Sequence, residues 1–232
     1  MRKTKLLASG NLHDCASTTQ AMSQLINQRN FSAARTLSNQ HQHSGLHLHD
    51  GQPCRYVHFW FQLSLANNLL GQPSEARKCF EYAQQCPDYT PLIEGDFMRD
   101  EALALIRLNE LDLAGVALKQ AQRLHAEDLN RMAALVMVRG RRASAVGNYV
   151  LAERLHRQAD EQWRKLGDKA DQQWIKNNRF YWLKAAVMSG ADIKGLIYLH
   201  IVTTESNRKR LLATKLMYHL GRPGVKLVER FM

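Results

Sequence analysis

Apolar residues recur along the chain at spacings of three and four residues, and short polar or glycine-containing segments separate these stretches. This spacing places apolar side chains on one face of an α-helix. The two-residue alternation that marks a β-strand is almost absent, whereas Ala, Leu, Gln and Arg, which are strong helix formers, are abundant. The pattern therefore predicts an all-α protein.

The ends of several predicted helices carry recognisable signals. Asn148 is predicted to cap a helix because its side-chain oxygen can accept a hydrogen bond from a free backbone N–H group. Gly71, Gly147, Gly190 and Gly221 are predicted to end helices, since glycine adopts the backbone conformation that follows a last helical turn. The predicted helices span residues 16–28, 31–40, 56–70, 73–85, 92–108, 111–124, 128–146, 149–166, 169–188, 192–202 and 207–220.

A group of small and large apolar residues recurs within this helical pattern. The small position returns every 38 residues, as Ala76, Ala114 and Ala152. Small side chains at such positions let two antiparallel helices approach closely, while larger ones fill the space to the next pair. The clearest copy contains Trp60, Leu63, Asn67, Leu70, Gly71, Ala76, Phe80 and Ala83.

The pattern Ala76-x-x-x-Phe80-x-x-Ala83 resembles the second helix of a tetratricopeptide repeat, and Ser64 replaces the usual glycine of the first helix. The resemblance covers about residues 18–202 and implies a right-handed superhelical solenoid. We expect about five antiparallel helix pairs and a C-terminal capping helix. The period of 38 residues exceeds the usual value of about 34, which predicts longer helices or linkers.

The predicted domains are a basic N-terminal tail (1–15), a tetratricopeptide-like domain (16–202) and a basic C-terminal extension (203–232). The four cysteines show no CxxC spacing, and no apolar run approaches membrane-spanning length. These features predict a cytoplasmic protein with free thiols. The sequence has no glycine-rich phosphate loop, GxSxG turn or HExxH helix, so we expect neither enzymatic activity nor a cofactor.

The formal net charge of +11 and the pI near 9.7 favour a negatively charged partner. In stacks of this family the first helix of each pair lines a concave groove that binds partners. Its mixed apolar and cationic character here predicts an acidic protein or peptide as partner, and thus a non-catalytic scaffold or adaptor. The register of the repeat identifies the groove residues as His58, Phe61, Leu65, Arg99, Leu103, Arg107, Met137, Arg141, Phe180 and Lys184.

Two basic clusters support an alternative function. One lies at residues 139–142 and the other in the C-terminal extension. They predict a regulator of transcription or of another nucleic-acid process, which contacts phosphates directly or acts as a sensor module. The favoured interpretation of the extension is a helix that caps the stack, and an exposed end of the stack predicts self-association. The residues assigned to nucleic acid are Arg139, Arg142, Arg208, Lys209, Arg210 and Lys215.

Residues 39–55 form a polar linker that contains His41, His43, His47 and His49. Imidazole is a ligand for zinc, copper and nickel. The histidine spacings match no known finger, so no metal site is predicted, and a solvated linker is the favoured interpretation.

Overall fold

The computed structural model describes residues 15–43, 55–194, 196–197 and 208–231, and for residues 43, 208–210 and 231 the backbone alone. The regular secondary structure of these residues is helical throughout. The helices are α1 (Cys15–Asn27), α2 (Phe31–His43), α3 (Val57–Leu69), α4 (Pro73–Ala83), α5 (Pro91–Arg107), α6 (Leu111–Leu124), α7 (Leu129–Ala145), α8 (Tyr149–Leu166), α9 (Gln172–Ser189), α10 (Arg208–Leu220) and α11 (Arg222–Phe231).

Most helix boundaries agree with the predictions, and α6 and α8 agree to the residue. The start of α9 does not. It was predicted at residue 169, but a 3-10 turn at Gly167–Lys169 precedes it and the helix begins at Gln172. The carboxylate of Asp171 fixes this start by accepting hydrogen bonds from the backbone of Gln173 and Trp174 at 2.9 and 3.1 Å. Most of the predicted helix 192–202 lies outside the described residues.

The capping predictions are confirmed. Asn148 accepts a hydrogen bond from the backbone of Leu151 at 3.1 Å. Gly71, Gly147, Gly190 and Gly221 have φ angles of 75°, 79°, 83° and 59°, a left-handed region that glycine enters without steric cost.

The helix α11 was not predicted, because Gly221-Arg222-Pro223-Gly224 reads as a segment that ends α10. The structure shows that Gly221 alone separates the two helices, and Pro223 lies in the first turn of α11. A proline is tolerated there because the first turn of a helix needs no backbone donor.

The chain divides into two compact units, which we call unit 1 (Met1–Ala104) and unit 2 (Leu105–Met232). In unit 1, α1 packs with α2 and α3 packs with α4, while α3 also contacts the first pair. Ala76 and Ala83 are buried between the helices. The hydroxyl of Ser64 donates to the carbonyl of Ala76 at 3.2 Å, which joins α3 to α4.

In unit 2, α7 packs between α6 and α8, and α9 packs against α8. The alanines that recur at the repeat period, Ala114, Ala121, Ala152 and Ala159, are all fully buried. The described helices therefore form packed pairs, an arrangement compatible with a helical-repeat fold.

A buried carboxylate joins α8 to α9. The side chain of Asp160 is fully buried and accepts hydrogen bonds from Nε of Arg164 at 2.9 Å and from Nε of Arg179 at 2.8 Å. Nearby, Nε1 of Trp182 donates to the carboxylate of Glu153 at 3.0 Å. Two acidic residues of α8 thus hold the side chains of α9 in place.

The C-terminal helices pack on α9. Met217 of α10 and Val225 and Val228 of α11 are buried in one cluster with Leu183 and Ala186 of α9. The described part of the extension therefore covers the apolar face of α9, as expected of a capping segment. None of the helices in the described part of the chain combines the length and apolar character needed to cross a membrane.

Candidate partner-binding site

Three predicted groove residues of unit 1 lie on α3. His58 is exposed and lines an open cleft of about 640 Å³ that α1 and α3 form. Phe61 and Leu65 are half-buried, and the ring of Phe61 meets that of Phe97 edge-on, with 5.2 Å between centroids. The lining of the cleft includes no Lys, Arg, Asp or Glu. This part of the predicted groove is polar rather than cationic.

Arg99 does not occupy an open surface. Its side chain is buried, and its guanidinium donates to Asp96 at 2.7 Å and to Asp100 at 3.2 Å. Burial raises the pKa of Asp100 to about 6, although the charge of Arg99 acts in the opposite direction. The two carboxylates neutralise Arg99 inside unit 1, so this arginine differs from the open groove cation that the register predicted.

Four of the remaining predicted groove residues differ in how deeply they are buried. Leu103 of unit 1 is half-buried, and Arg107 of unit 2 is exposed. Met137 and Phe180 of unit 2 are 1 % and 7 % exposed, which places them in the core rather than on a surface.

Arg141 and Lys184 converge on an aromatic ring that was not predicted. The guanidinium carbon of Arg141, on α7, lies 4.3 Å from the centroid of the Tyr181 ring on α9. The ammonium of Lys184, one turn further along α9, lies 6.0 Å from the same centroid. We call these three residues the cation–aromatic site. Stacking on the ring orients the guanidinium without neutralising it.

The residues around the cation–aromatic site hold it in position. The ring of Phe180 is buried beside that of Tyr181, with 5.6 Å between centroids. The carboxylate of Glu229, on α11, accepts from Nζ of Lys184 at 2.8 Å and is half exposed. The folded chain thus already presents one carboxylate to one of the two cations.

A buried histidine lies behind this site. The imidazole of His156 stacks on the Tyr181 ring at 6.3 Å, and its Nδ1 donates to Oδ1 of Asn178 at 2.8 Å. The side-chain N–H of Asn178 donates to the backbone carbonyl of His156, also at 2.8 Å. The side-chain oxygen of Asn178 therefore faces Nδ1 as an acceptor, and Nδ1 is the donor. Nε2 is buried without a hydrogen-bond partner. A side-chain methyl at Gly140 would lie 2.9 Å from it.

Acidification is expected to weaken unit 2 through His156. Burial lowers the pKa of His156 to about 4, and the charge of Arg141 lowers it further, whereas Asn178 opposes the shift. The unfolded chain binds the proton near pH 6.5, so the stabilisation is complete above that pH and is lost as the pH falls towards 4. The loss amounts to about 3 kcal/mol.

Denaturant unfolding of His156→Leu at pH 7.5 and pH 4.5 measures this loss. In the wild type we expect α8 and α9 to lose protection from hydrogen exchange at the lower pH. In His156→Leu we expect this loss of protection to be absent. His58→Gln, which changes an exposed histidine of unit 1, should retain it. An unchanged pH dependence in His156→Leu would contradict the assignment.

Two of the basic residues assigned to nucleic acid contact α6 instead of pointing freely outward. Arg139 donates to the side chain of Gln122, and Nε of Arg142 donates to the carbonyl of Leu111 at 2.6 Å. Lys215 is exposed. The side chains of residues 208–210 lie outside the described residues, so the predicted C-terminal phosphate contacts stay a prediction.

Only part of the histidine-rich linker is described. His41 belongs to α2 and is buried, and no group of three metal-ligating side chains occurs in the described residues. His47 and His49 lie outside them, as does the side chain of His43.

Comparison with models of known protein families, with curated proteins and with solved structures found no match. The candidate site therefore rests on its own geometry.

Proposed function

We propose that the protein is a non-catalytic interaction module, built from tetratricopeptide-like helix pairs, that binds an acidic segment of a partner protein. The observation that carries this proposal is the cation–aromatic site. Two cations from α7 and α9, both first helices of pairs in the proposed repeat, converge on the ring of Tyr181.

Carboxylate chemistry suits this site. A guanidinium offers a planar pair of donors to a carboxylate, and such charge-assisted hydrogen bonds are stronger than neutral ones. Stacking of Arg141 on Tyr181 lowers the conformational entropy that the arginine loses when it binds. The excess positive charge of the chain adds long-range attraction to an acidic partner.

Glu229 supports the same chemistry from within the chain. Its carboxylate accepts from Lys184 at 2.8 Å, and the described structure records no carboxylate within salt-bridge distance of Arg141. In the proposed complex, a partner carboxylate binds Arg141 and competes with Glu229 for Lys184.

Binding of a fluorescein-labelled oligoglutamate peptide, followed by anisotropy at low salt, tests the proposal. We expect Arg141→Gln to weaken binding about tenfold, the effect of one charge-assisted hydrogen bond of about 1.5 kcal/mol. Arg154→Gln is the matched control, since it removes the same charge from an exposed position of α8. If Arg141→Gln and Arg154→Gln weaken peptide binding equally, the effect is one of net charge, and the proposed binding at Arg141 is wrong.

A second variant is expected to act in the opposite direction. Glu229→Gln removes the competing carboxylate and should tighten oligoglutamate binding severalfold. Glu161→Gln, which neutralises an exposed glutamate of α8, changes the net charge equally and should have a smaller effect. A labelled single-stranded oligonucleotide distinguishes the alternative function. Tighter binding of the oligonucleotide, insensitive to Arg141→Gln, would favour a nucleic-acid regulator over the proposed module.

A further inference from the structure

In unit 1 a thiol contacts an imidazole, and the same imidazole contacts a hydroxyl. Sγ of Cys15 lies 3.4 Å from Nε2 of His41, and Nδ1 of His41 lies 3.2 Å from Oγ1 of Thr18. Cys15 and Thr18 lie one turn apart on α1, and His41 reaches them from α2. These contacts bring together a nucleophile, a base and a group that orients the base.

One tautomer of His41 makes the imidazole a base for Cys15. His41 and Thr18 are 6 % and 2 % exposed, and the ring of Phe59 lies 5.4 Å from the imidazole. When Nδ1 donates to Oγ1 of Thr18, Nε2 is left as the acceptor that faces Cys15. The imidazole is then placed to take the thiol proton.

Cys15 is the most accessible of the described cysteines. It is half-buried, whereas Cys79 and Cys86 are 5 % and 6 % exposed. Thr19, four residues after Cys15 and on the same helical face, lines the open cleft of unit 1. The half-buried Cys15 thus lies one helical turn from a residue of an uncharged cleft.

We propose that Cys15 is a peroxide-reactive thiol, with His41 as its base and Thr18 as a positioning residue. Cys15 gives its proton to Nε2 of His41, and the thiolate attacks one oxygen of the peroxide. An S–O bond forms as the O–O bond breaks, so sulfur is oxidised by two electrons and the peroxide is reduced. The leaving hydroxide takes the proton from His41 and becomes water, and Cys15 becomes a sulfenic acid.

The other described cysteines lie in different surroundings. Burial raises the pKa of Cys79 to about 12, and its sulfur accepts a hydrogen bond from Asn67 at 3.7 Å. Sγ of Cys86 donates to the carbonyl of Tyr82 at 3.6 Å. Both thiols therefore serve as internal controls in the same unit.

The full chain treated with hydrogen peroxide at pH 7, then quenched with catalase and unfolded in dimedone, tests the proposal by peptide mass spectrometry. An ordinary thiol is about 3 % ionised at this pH, so full ionisation raises the thiolate fraction about thirtyfold. Lower basicity reduces the nucleophilicity of sulfur, which leaves a net gain of about fivefold to tenfold. We expect His41→Gln to slow oxidation of Cys15 by this factor, and Cys79 and Cys86 to react far more slowly.

The controls separate a reactive thiol from an exposed one. His58→Gln, which changes a histidine at the nearby cleft, should leave the rate for Cys15 unchanged. Thr18→Val should slow the reaction and Thr18→Ser should restore it. In the wild type the rate should vary little between pH 6.5 and 8.0, whereas in His41→Gln it should rise about tenfold per pH unit.

Several outcomes would overturn the proposal. One is a wild-type rate that rises with pH as steeply as that of an ordinary thiol, and another is oxidation of Cys15 no faster than that of Cys79. The wild-type pH profile and Thr18→Val decide the question even where His41→Gln fails to fold, which circular dichroism checks. Because none of these measurements involves the cation–aromatic site, their outcome is independent of the proposed function.

Discussion

Replacing Asp160 with asparagine is expected to destabilise unit 2 by about 3–5 kcal/mol, since removing one partner of a buried ion pair leaves an uncompensated charge. The side chain of Asp160 is 0 % exposed and that of Arg179 is 12 % exposed. Asparagine keeps the size of the side chain but not its charge. Arg179 would then remain buried without its carboxylate, and the contact between α8 and α9 would lose its central ion pair.

Equilibrium unfolding in guanidinium chloride measures the loss, and hydrogen exchange shows whether it is confined to α8 and α9. Arg164→Gln is the matched control. It removes the other partner of Asp160, but Arg164 is 59 % exposed and should contribute less than about 1 kcal/mol. Equal effects of Asp160→Asn and Arg164→Gln would mean that Asp160 is not buried as described.

The helices were predictable because their signals are local. Apolar spacing, the cap at Asn148 and the glycines at helix ends each act within a few residues, and each is confirmed in the structure. The repeat period placed the alanines correctly at buried positions, since Ala76, Ala114 and Ala152 face partner helices. Local signals also explain why α11 was not predicted: proline and glycine are typical of a loop, but here they form the first turn of a helix.

Long-range partners were not predictable from spacing. Glu153 and Arg157 lie four residues apart on α8, a spacing at which glutamate and arginine can pair, yet Glu153 accepts a hydrogen bond from Trp182 of α9. Similarly, Arg99 was read as an open cation, although Asp96 and Asp100 lie close to it in the sequence. The acidic neighbours were visible, but their burial with Arg99 depends on tertiary packing.

The candidate site was half predicted. Arg141 and Lys184 were identified from the repeat register, but the register named Phe180 as the groove residue, whereas the ring that both cations approach is that of the next residue, Tyr181. A helix turns by about 100° per residue, so a slip of one position exchanges a buried side chain for an accessible one. The spacing of three between Tyr181 and Lys184 was the signal that places both on one face.

Replacing Gly224 with alanine is expected to separate α11 from α10 at a cost of about 3 kcal/mol, the effect of overpacking a site that cannot relax. An added Cβ would meet the carbonyl oxygen of Leu216 and lie 2.7 Å from its carbonyl carbon, so backbone rather than a flexible side chain must move. Hydrogen exchange of residues 208–231 measures the separation.

Gly115→Ala is the matched control, because the atoms nearest its Cβ would be those at the end of the Arg142 side chain, at 3.3 Å, and alanine favours a helix. If Gly224→Ala retains wild-type protection, α10 and α11 do not approach as closely as described. If protection is lost from α11 and also from α9, the two helices cap unit 2, because the apolar side of α9 then loses its cover.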